Sequence, residues 1–511
     1  MVLRFTILLI AAYAHAAGVS WSFHAIFPYA QGVGWLQIAA LAVLVLVLRQ
    51  CRSAKHAALA GWWFATAWLA STFWWLYISL HVYGGLDAIL TVLSVTLLAG
   101  LLALYYAAAC AAFWRFSSGW TGWASSFLFA ALWTAAELAR GTWLTGFGWG
   151  AVGYAHIDSF LSSLIPWIGS YGVGMVAALL AALLAGFVAN RQIIPIALLL
   201  MGGFGFGLQQ VGTWATWSQS SGKLSVTLLQ GNIPQDEKFQ KGSGIPLALA
   251  WYAQELNASP SDLVVAPETA IPLLPDELPE SYWNALQTRF ATGKQAAMLG
   301  IPMGNYEKGY TNSMLGFAPE QAAPWQYDKH HLVPFGEFIP PAFKWFMRLM
   351  HIPLGDFNRG ELGQPSFEWK NQRLAANICY EDLFGEELGV RFIEAAASPT
   401  IFVNISNIGW FGDSIAMHQH LQISRMRALE FERPMIRATN TGMTAIINHQ
   451  GQVTHALTPL TRGALMGVVE GRNGITPFAW WVSRLGLLPL WVLLITIVLI
   501  AARAYPMRAT P

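Results

Sequence analysis

Charge is spread so unevenly along this chain that it cannot fold as one water-soluble body. Of its 56 Asp, Glu, Lys and Arg residues, positions 1–212 hold 10, positions 213–475 hold 43 and the last 36 positions hold 3. A long stretch that is apolar and nearly uncharged reads as membrane-spanning helices, each needing roughly 17–25 mainly apolar residues. Candidate spans lie near 4–19, 33–49, 58–81, 88–113, 123–141, 161–189, 193–211 and 478–502. Three parts follow. Residues 1–212 form an α-helical multi-span membrane domain of about seven helices, 213–475 a water-soluble domain, and 476–511 a final transmembrane helix with a short tail.

The basic residues give this layout a direction. With eight crossings, Arg4, Arg49, Arg52, Lys55, Arg115, Arg191, Arg503 and Arg508 share one side, and Asp87, Glu137 and Asp158 the other. Cationic loops mark the cytoplasmic side, so the domain between spans seven and eight faces the exterior. Arg4, the run after it and Ala14-His15-Ala16 also fit a cleavable signal peptide, but the charge pattern works better if that segment stays. Glu137 and Arg140 stand three apart near a span end and are expected to pair; no run of acidic or histidine residues marks an ion path. The glycine-rich stretch 141–153, with Trp143, Phe147 and Trp149, is either a lipid groove or a packed re-entrant turn.

Composition excludes other classes. A net charge of +2 without a long basic run argues against nucleic acid as a partner. Cys51, Cys110 and Cys379 lack metal-ligand spacing, so neither a metal nor a cofactor is expected. Cys51 and Cys110, in or beside apolar spans, read as small buried hydrophobes.

Within 213–475, short β-branched runs alternate with helical patterns. Strands are expected at 224–230, 262–267, 296–301, 311–317, 373–379, 400–405, 435–439, 443–448 and 464–470, and helices near 245–257, 279–292, 384–396 and 415–432. A layered α/β domain of this kind sets its strand ends along one rim. Three chemically able residues fall at such ends or just beyond them: Glu268 after Leu263–Pro267, Lys329 after Tyr327-Asp328, and Cys379 after Leu374–Ile378.

These segments carry a resemblance. Val265-Ala266-Pro267-Glu268-Thr269, Asp328-Lys329-His330-His331-Leu332-Val333-Pro334-Phe335-Gly336-Glu337 and Asn377-Ile378-Cys379-Tyr380-Glu381 resemble the glutamate, lysine and cysteine signatures of the nitrilase, or carbon–nitrogen hydrolase, superfamily. Asn440-Thr441-Gly442 resembles a further element of it. Leu229-Gln230-Gly231-Asn232-Ile233-Pro234-Gln235 and the eight-span layout narrow the likeness to the bacterial apolipoprotein N-acyltransferases. The resemblance implies an αββα sandwich, a Glu268–Lys329–Cys379 triad and supporting roles for Glu337, Tyr380 and Glu381. It also implies a phospholipid acyl donor, a diacylglyceryl apolipoprotein acceptor, and a place in the bacterial inner membrane with the catalytic domain facing the periplasm. The flanking helices, which would block the surfaces soluble nitrilases use to assemble, favour a monomer. A membrane-tethered amidase or nitrilase-type hydrolase is the alternative. At Phe239 the chain departs from the family, which often has tryptophan near that position.

The residue types suit acyl transfer. A thiol becomes a good nucleophile when a base or cation favours its thiolate. Glu268 is expected to take the thiol proton, provided burial raises its pKa. Lys329 and the Tyr380 N–H are expected to hold the oxyanion, and Glu337 to hold Lys329 or act as a second acid or base. His330 and His331 are expected to be structural. The apolar, partly cationic segment 343–354, with Trp345 and Phe346, reads as an interfacial arm for lipid entry. Trp410 and Phe411 read as a second lip, and Phe239 as an access residue.

Overall fold

In the computed structural model the described residues are 2–20, 32–117, 122–189, 207, 216–321, 323–340 and 357–503. They form two compact units: 1–77, 88–216 and 485–511 make the helical one, and 78–87 with 217–484 the other. The expected span 193–211, apart from position 207, and Trp345 and Phe346 lie outside the described residues.

The helical unit contains α1 (Val2–Ala17), α2 (Gly34–Arg49), α3 (Ala54–Thr72), α4 (Ala88–Ser117), α5 (Trp123–Thr142) and α6 (Ile165–Ala189). By length and composition Ala88–Ser117 and Phe160–Val188 can each cross a membrane. Glu137 and Arg140 on α5 are buried but form no ion pair with each other. Glu137 accepts from the Val152 N–H at 3.0 Å, and Arg140 donates to the Phe147 and Trp149 carbonyls and to the Tyr106 hydroxyl. They staple stretch 141–153 as a packed turn, since buried backbone groups must find partners.

Two expected spans are corrected. The run 58–81 is not one helix: α3 stops at Thr72, and Ile78–Tyr83 is a π-helix of the other unit. The run 478–502 is two helices, Pro477–Leu485 and Leu488–Arg503, bent by 87° where Gly486 takes φ +54°. Hydropathy does not separate a lipid-facing helix from one packed on protein, which is why both runs looked continuous.

The second unit holds two six-stranded sheets. Its strands are β1 (Ser218–Gln230), β2 (Leu263–Val265), β3 (Ala296–Asn305), β4 (Gly309–Phe317), β5 (Trp325–Asp328), β6 (Phe367–Trp369), β7 (Gln372–Ile378), β8 (Ile401–Ser406), β9 (Met435–Thr439), β10 (Ala445–Ile447), β11 (Val453–Ala456) and β12 (Gly463–Gly474). One sheet runs β12-β1-β2-β3-β4-β5, the other β11-β10-β9-β8-β7-β6. Val226, Leu228, Val265 and Met298 of the first meet Leu374, Ile378, Val403 and Ile436 of the second in a buried core. Each such side chain contributes about 1.5–3 kcal/mol by leaving water.

Helices cover the outer faces. Tyr252 and Leu256 of Gly244–Ala258 and Phe290 of Glu280–Ala291 pack on Val264, Ala297 and Leu315. Beyond the second sheet, Phe431 of Ala416–Phe431 packs edge-on against Phe402. The result is an αββα sandwich. The expected helix 384–396 is instead Gly385–Gly389 followed by a 3-10 turn, Val390–Phe392. Gly385 sits so close to Arg427 and Glu430 that an added Cβ would collide with them.

Candidate active site

The candidate site is built where strand ends of the two sheets meet. Glu268 follows β2, and its turn lies directly on β3: a Cβ on Gly300 would stand 2.5 Å from the Pro267 carbonyl oxygen. The first sheet also provides Lys329, immediately after β5, and Asn312 on β4. Lys329 Nζ lies 2.8 Å from Glu337 Oε1 and 3.4 Å from Glu268 Oε1. The Asn312 amide donates to both carboxylates at 2.7 Å. Across the sandwich, the Asn407 N–H after β8 donates to Glu268 Oε2 at 2.7 Å.

Cys379 comes from the second sheet, at the end of β7. Its φ of +52° is in the left-handed region, which costs a non-glycine residue about 1–3 kcal/mol unless the surroundings hold it. They do hold it. Asn404 donates to the Cys379 carbonyl at 3.2 Å, and His420 Nε2 lies 3.2 Å from the same oxygen. His420 Nε2 also faces Asp382 Oδ1 at 3.1 Å, while Nδ1 faces Arg437 Nη2 at 3.1 Å. Two acceptors on one side and a donor on the other require the Nε2–H tautomer.

Glu381 secures the other flank. It accepts from Ile378 N (2.6 Å), His330 N (2.7 Å), His331 N (3.1 Å) and the Tyr327 hydroxyl (2.8 Å). It therefore ties the cysteine turn to the lysine turn. Glu381→Ala leaves these buried donors unmatched and is expected to cost about 3 kcal/mol. Thermal unfolding in detergent reads this; an unchanged melting temperature would show that other contacts hold the turn.

The electrostatics correct one expectation. Burial alone would lift Glu268, but Lys329, the Asn312 amide, Lys238 and the Asn407 N–H outweigh it and hold the carboxyl below its usual value. The expectation that burial raises Glu268 therefore fails. Burial, reinforced by Glu268, pushes the Cys379 thiol well above its usual value against the pull of Lys329. Burial also opposes the Lys329 charge, but Glu337 and Glu268 more than offset it and keep the ammonium protonated. At rest the site holds a thiol, a carboxylate and an ammonium.

The remaining sequence candidates have definite places. Tyr380 is buried, its ring edge-on to Phe384. His331 stacks on Phe384 and meets Glu387 at 2.9 Å, and His330 Nδ1 faces the Gly360 carbonyl at 2.8 Å. Phe239 is 43% exposed. Trp410 lies edge-on to Tyr83 of the π-helix, and the neighbouring Phe411 is partly buried. Sequence reasoning missed Asn312, Asn407, Lys238 and the Asp382–His420–Arg437 network. Asn440 was singled out, and it binds Ile233 N at 3.0 Å and Asn407 Oδ1 at 3.1 Å, behind Glu268.

A thiol on a strained strand end, coupled to a buried carboxylate and ammonium within an αββα sandwich, defines the carbon–nitrogen hydrolase class. The family described as carbon-nitrogen hydrolase matches residues 225–470, and the apolipoprotein N-acyltransferase N-terminal domain matches residues 7–183. The chain is 54% identical over 502 residues to an apolipoprotein N-acyltransferase of Verminephrobacter eiseniae, covering 94% of this chain and 92% of that one. It is 44% identical to one of Ralstonia nicotianae, covering 87% and 85%. Among solved structures it is similar to a carbon-nitrogen hydrolase from Helicobacter pylori, at 16% identity and a TM-score of 0.36, over 53% of this chain and 94% of that one. The chain belongs to the apolipoprotein N-acyltransferase family.

Proposed function

We propose that this protein N-acylates the amino-terminal diacylglyceryl-cysteine of apolipoproteins, with a membrane phospholipid as acyl donor and Cys379 as the acyl carrier. The observation that carries the reading is the buried Lys329–Glu268 pair, electrostatically coupled to the strained Cys379, in a chain of this family.

Glu268 takes the Sγ proton as sulfur attacks an ester carbonyl of the phospholipid. The raised thiol and depressed carboxyl mean that this proton moves together with C–S bond formation, not before it. Lys329 Nζ and the Tyr380 N–H hold the oxyanion. Collapse breaks the ester C–O bond, and the departing alkoxide takes the proton from Glu268 to leave as lysophospholipid. The acceptor's neutral α-amino group then attacks the thioester. Glu268 accepts the amine proton and returns it to sulfur as the C–S bond breaks. Glu337 holds Lys329 throughout.

Both substrates are lipids, and the apolar helices keep the site near a bilayer. In this reading Phe239, Trp410 and Phe411 serve lipid access. The positive flanks of the spans support a catalytic unit on the periplasmic face of the bacterial inner membrane.

Intact-protein mass spectrometry after incubation with phospholipid alone tests the scheme. The expected result is one added acyl mass on Cys379, discharged by a diacylglyceryl lipopeptide. Free fatty acid without an adduct, at a rate indifferent to the lipopeptide, would move the function to hydrolysis.

A further inference from the structure

One buried cation has no part in this mechanism. Lys238 lies in the turn after β1, only 2% exposed, while its neighbour Phe239 points outward. Its Nζ donates to the Glu268 backbone carbonyl at 3.0 Å. Among the described residues that carbonyl is its hydrogen-bond partner, so most of an ammonium's donor capacity is left facing the site. Lys238 is in Coulomb range of both Glu268 and Cys379. A lysine is seldom buried this fully without a carboxylate salt bridge.

The charges facing Cys379 explain what such a lysine does. Glu268, Glu337 and Asp382 press on the thiol from three elements, and Lys329 opposes them. Arg437 and Lys238 are the further cations coupled to it. Glu381 faces Tyr327 and backbone N–H groups, and His420 faces the Cys379 carbonyl. Three carboxylates thus stand against three cations. Without Lys238 the site carries one excess negative charge before sulfur takes on any.

We propose that Lys238 is a second positioning cation of the acyl-transfer site, balancing its carboxylates so that Cys379 can carry negative charge as it attacks. The proposal rests on the reading of Cys379 as nucleophile. Burial brings the Lys238 pKa down to about 8, with Glu268 and Cys379 pulling the other way, so the cation is present at neutral pH and lost as pH rises through about 8.

The test is the rate of Cys379 alkylation by iodoacetamide at pH 7 on the full-length protein in detergent, followed by mass spectrometry of the Cys379 peptide. Lys238→Gln keeps a donor for the Glu268 carbonyl and removes the charge; Lys238→Arg keeps the charge. An opposite charge at this range is worth about one pKa unit or more, so the Gln variant is expected to alkylate about tenfold more slowly. Its kcat should fall at least as far with little change in KM, and Arg should restore both. Normal alkylation in the Gln variant, or lost kcat in Arg as in Gln, would reduce Lys238 to a backbone pin and overturn the proposal. Acylation surviving in Cys379→Ala would instead sink the nucleophile reading, whatever Lys238 does.

Discussion

Cys379→Ala is expected to stop acyl transfer, with N-acylation falling by about 10⁴-fold or more, as when a serine protease loses its nucleophile. No acyl adduct should form on the variant. Cys51 and Cys110 belong to the helical unit, not to the unit that holds Glu268 and Lys329. Alanine meets the same backbone strain at φ +52° as cysteine does, so the melting temperature should barely move. Loss of activity then reports chemistry and not unfolding. Turnover above about a hundredth of wild type would mean that the acyl group passes directly from donor to acceptor, without a thioester. Cys379→Ser should be nearly as inactive, since a hydroxyl is harder to deprotonate and Glu268 is a weak base here.

Lys329→Met should have the second-largest effect, on rate and stability together. In the proposed mechanism Lys329 holds the oxyanion, and losing such a group costs about 10²–10³ in turnover. It also leaves Glu268 and Glu337, which share the Asn312 amide, buried without their common counter-ion. Stripping one partner from a buried ion pair costs about 3–5 kcal/mol. The pH dependence separates this from simple loss of packing. In wild type the Glu268 pKa is depressed on folding, so its contribution to stability is present above the unfolded value and fades as pH falls through the folded one. Without Lys329, two neighbouring carboxylates cannot both ionise easily and one must hold a proton. The sign reverses: the variant should regain stability, relative to wild type, as pH falls from 7 towards 5. A melting-temperature gap that is constant across that range would rule out this origin.

The legible parts of this site are those that announce themselves locally. Cys379 ends an apolar run, Glu268 follows Leu263–Pro267, and Lys329 precedes a dense motif, so each could be found from a few neighbours. The residues that tune them could not. Asn407 reaches Glu268 across 139 positions and Asn312 across 44. Lys238 sits in an unremarkable polar turn, where burial is invisible before the fold exists. The depressed Glu268 pKa escaped for the same reason: a strand end predicts burial, but not the four partners that outweigh it. Short edge strands such as β6, three residues long, leave no periodic trace. Residues 73–83 show the opposite difficulty, since their apolar character is plain while their destination is not.

The division of labour between the two sheets has a consequence for biogenesis. Glu268 and Lys329 ride on the first sheet, Cys379 on the second, and the Asn407–Glu268 bond crosses between them. Neither half holds a working set of groups before the core between the sheets closes. A newly made chain can therefore lie among phospholipids, its thiol already synthesised, without being able to consume them. Competence arrives with the last packing step, so the finished core acts as the enzyme's own release from quarantine.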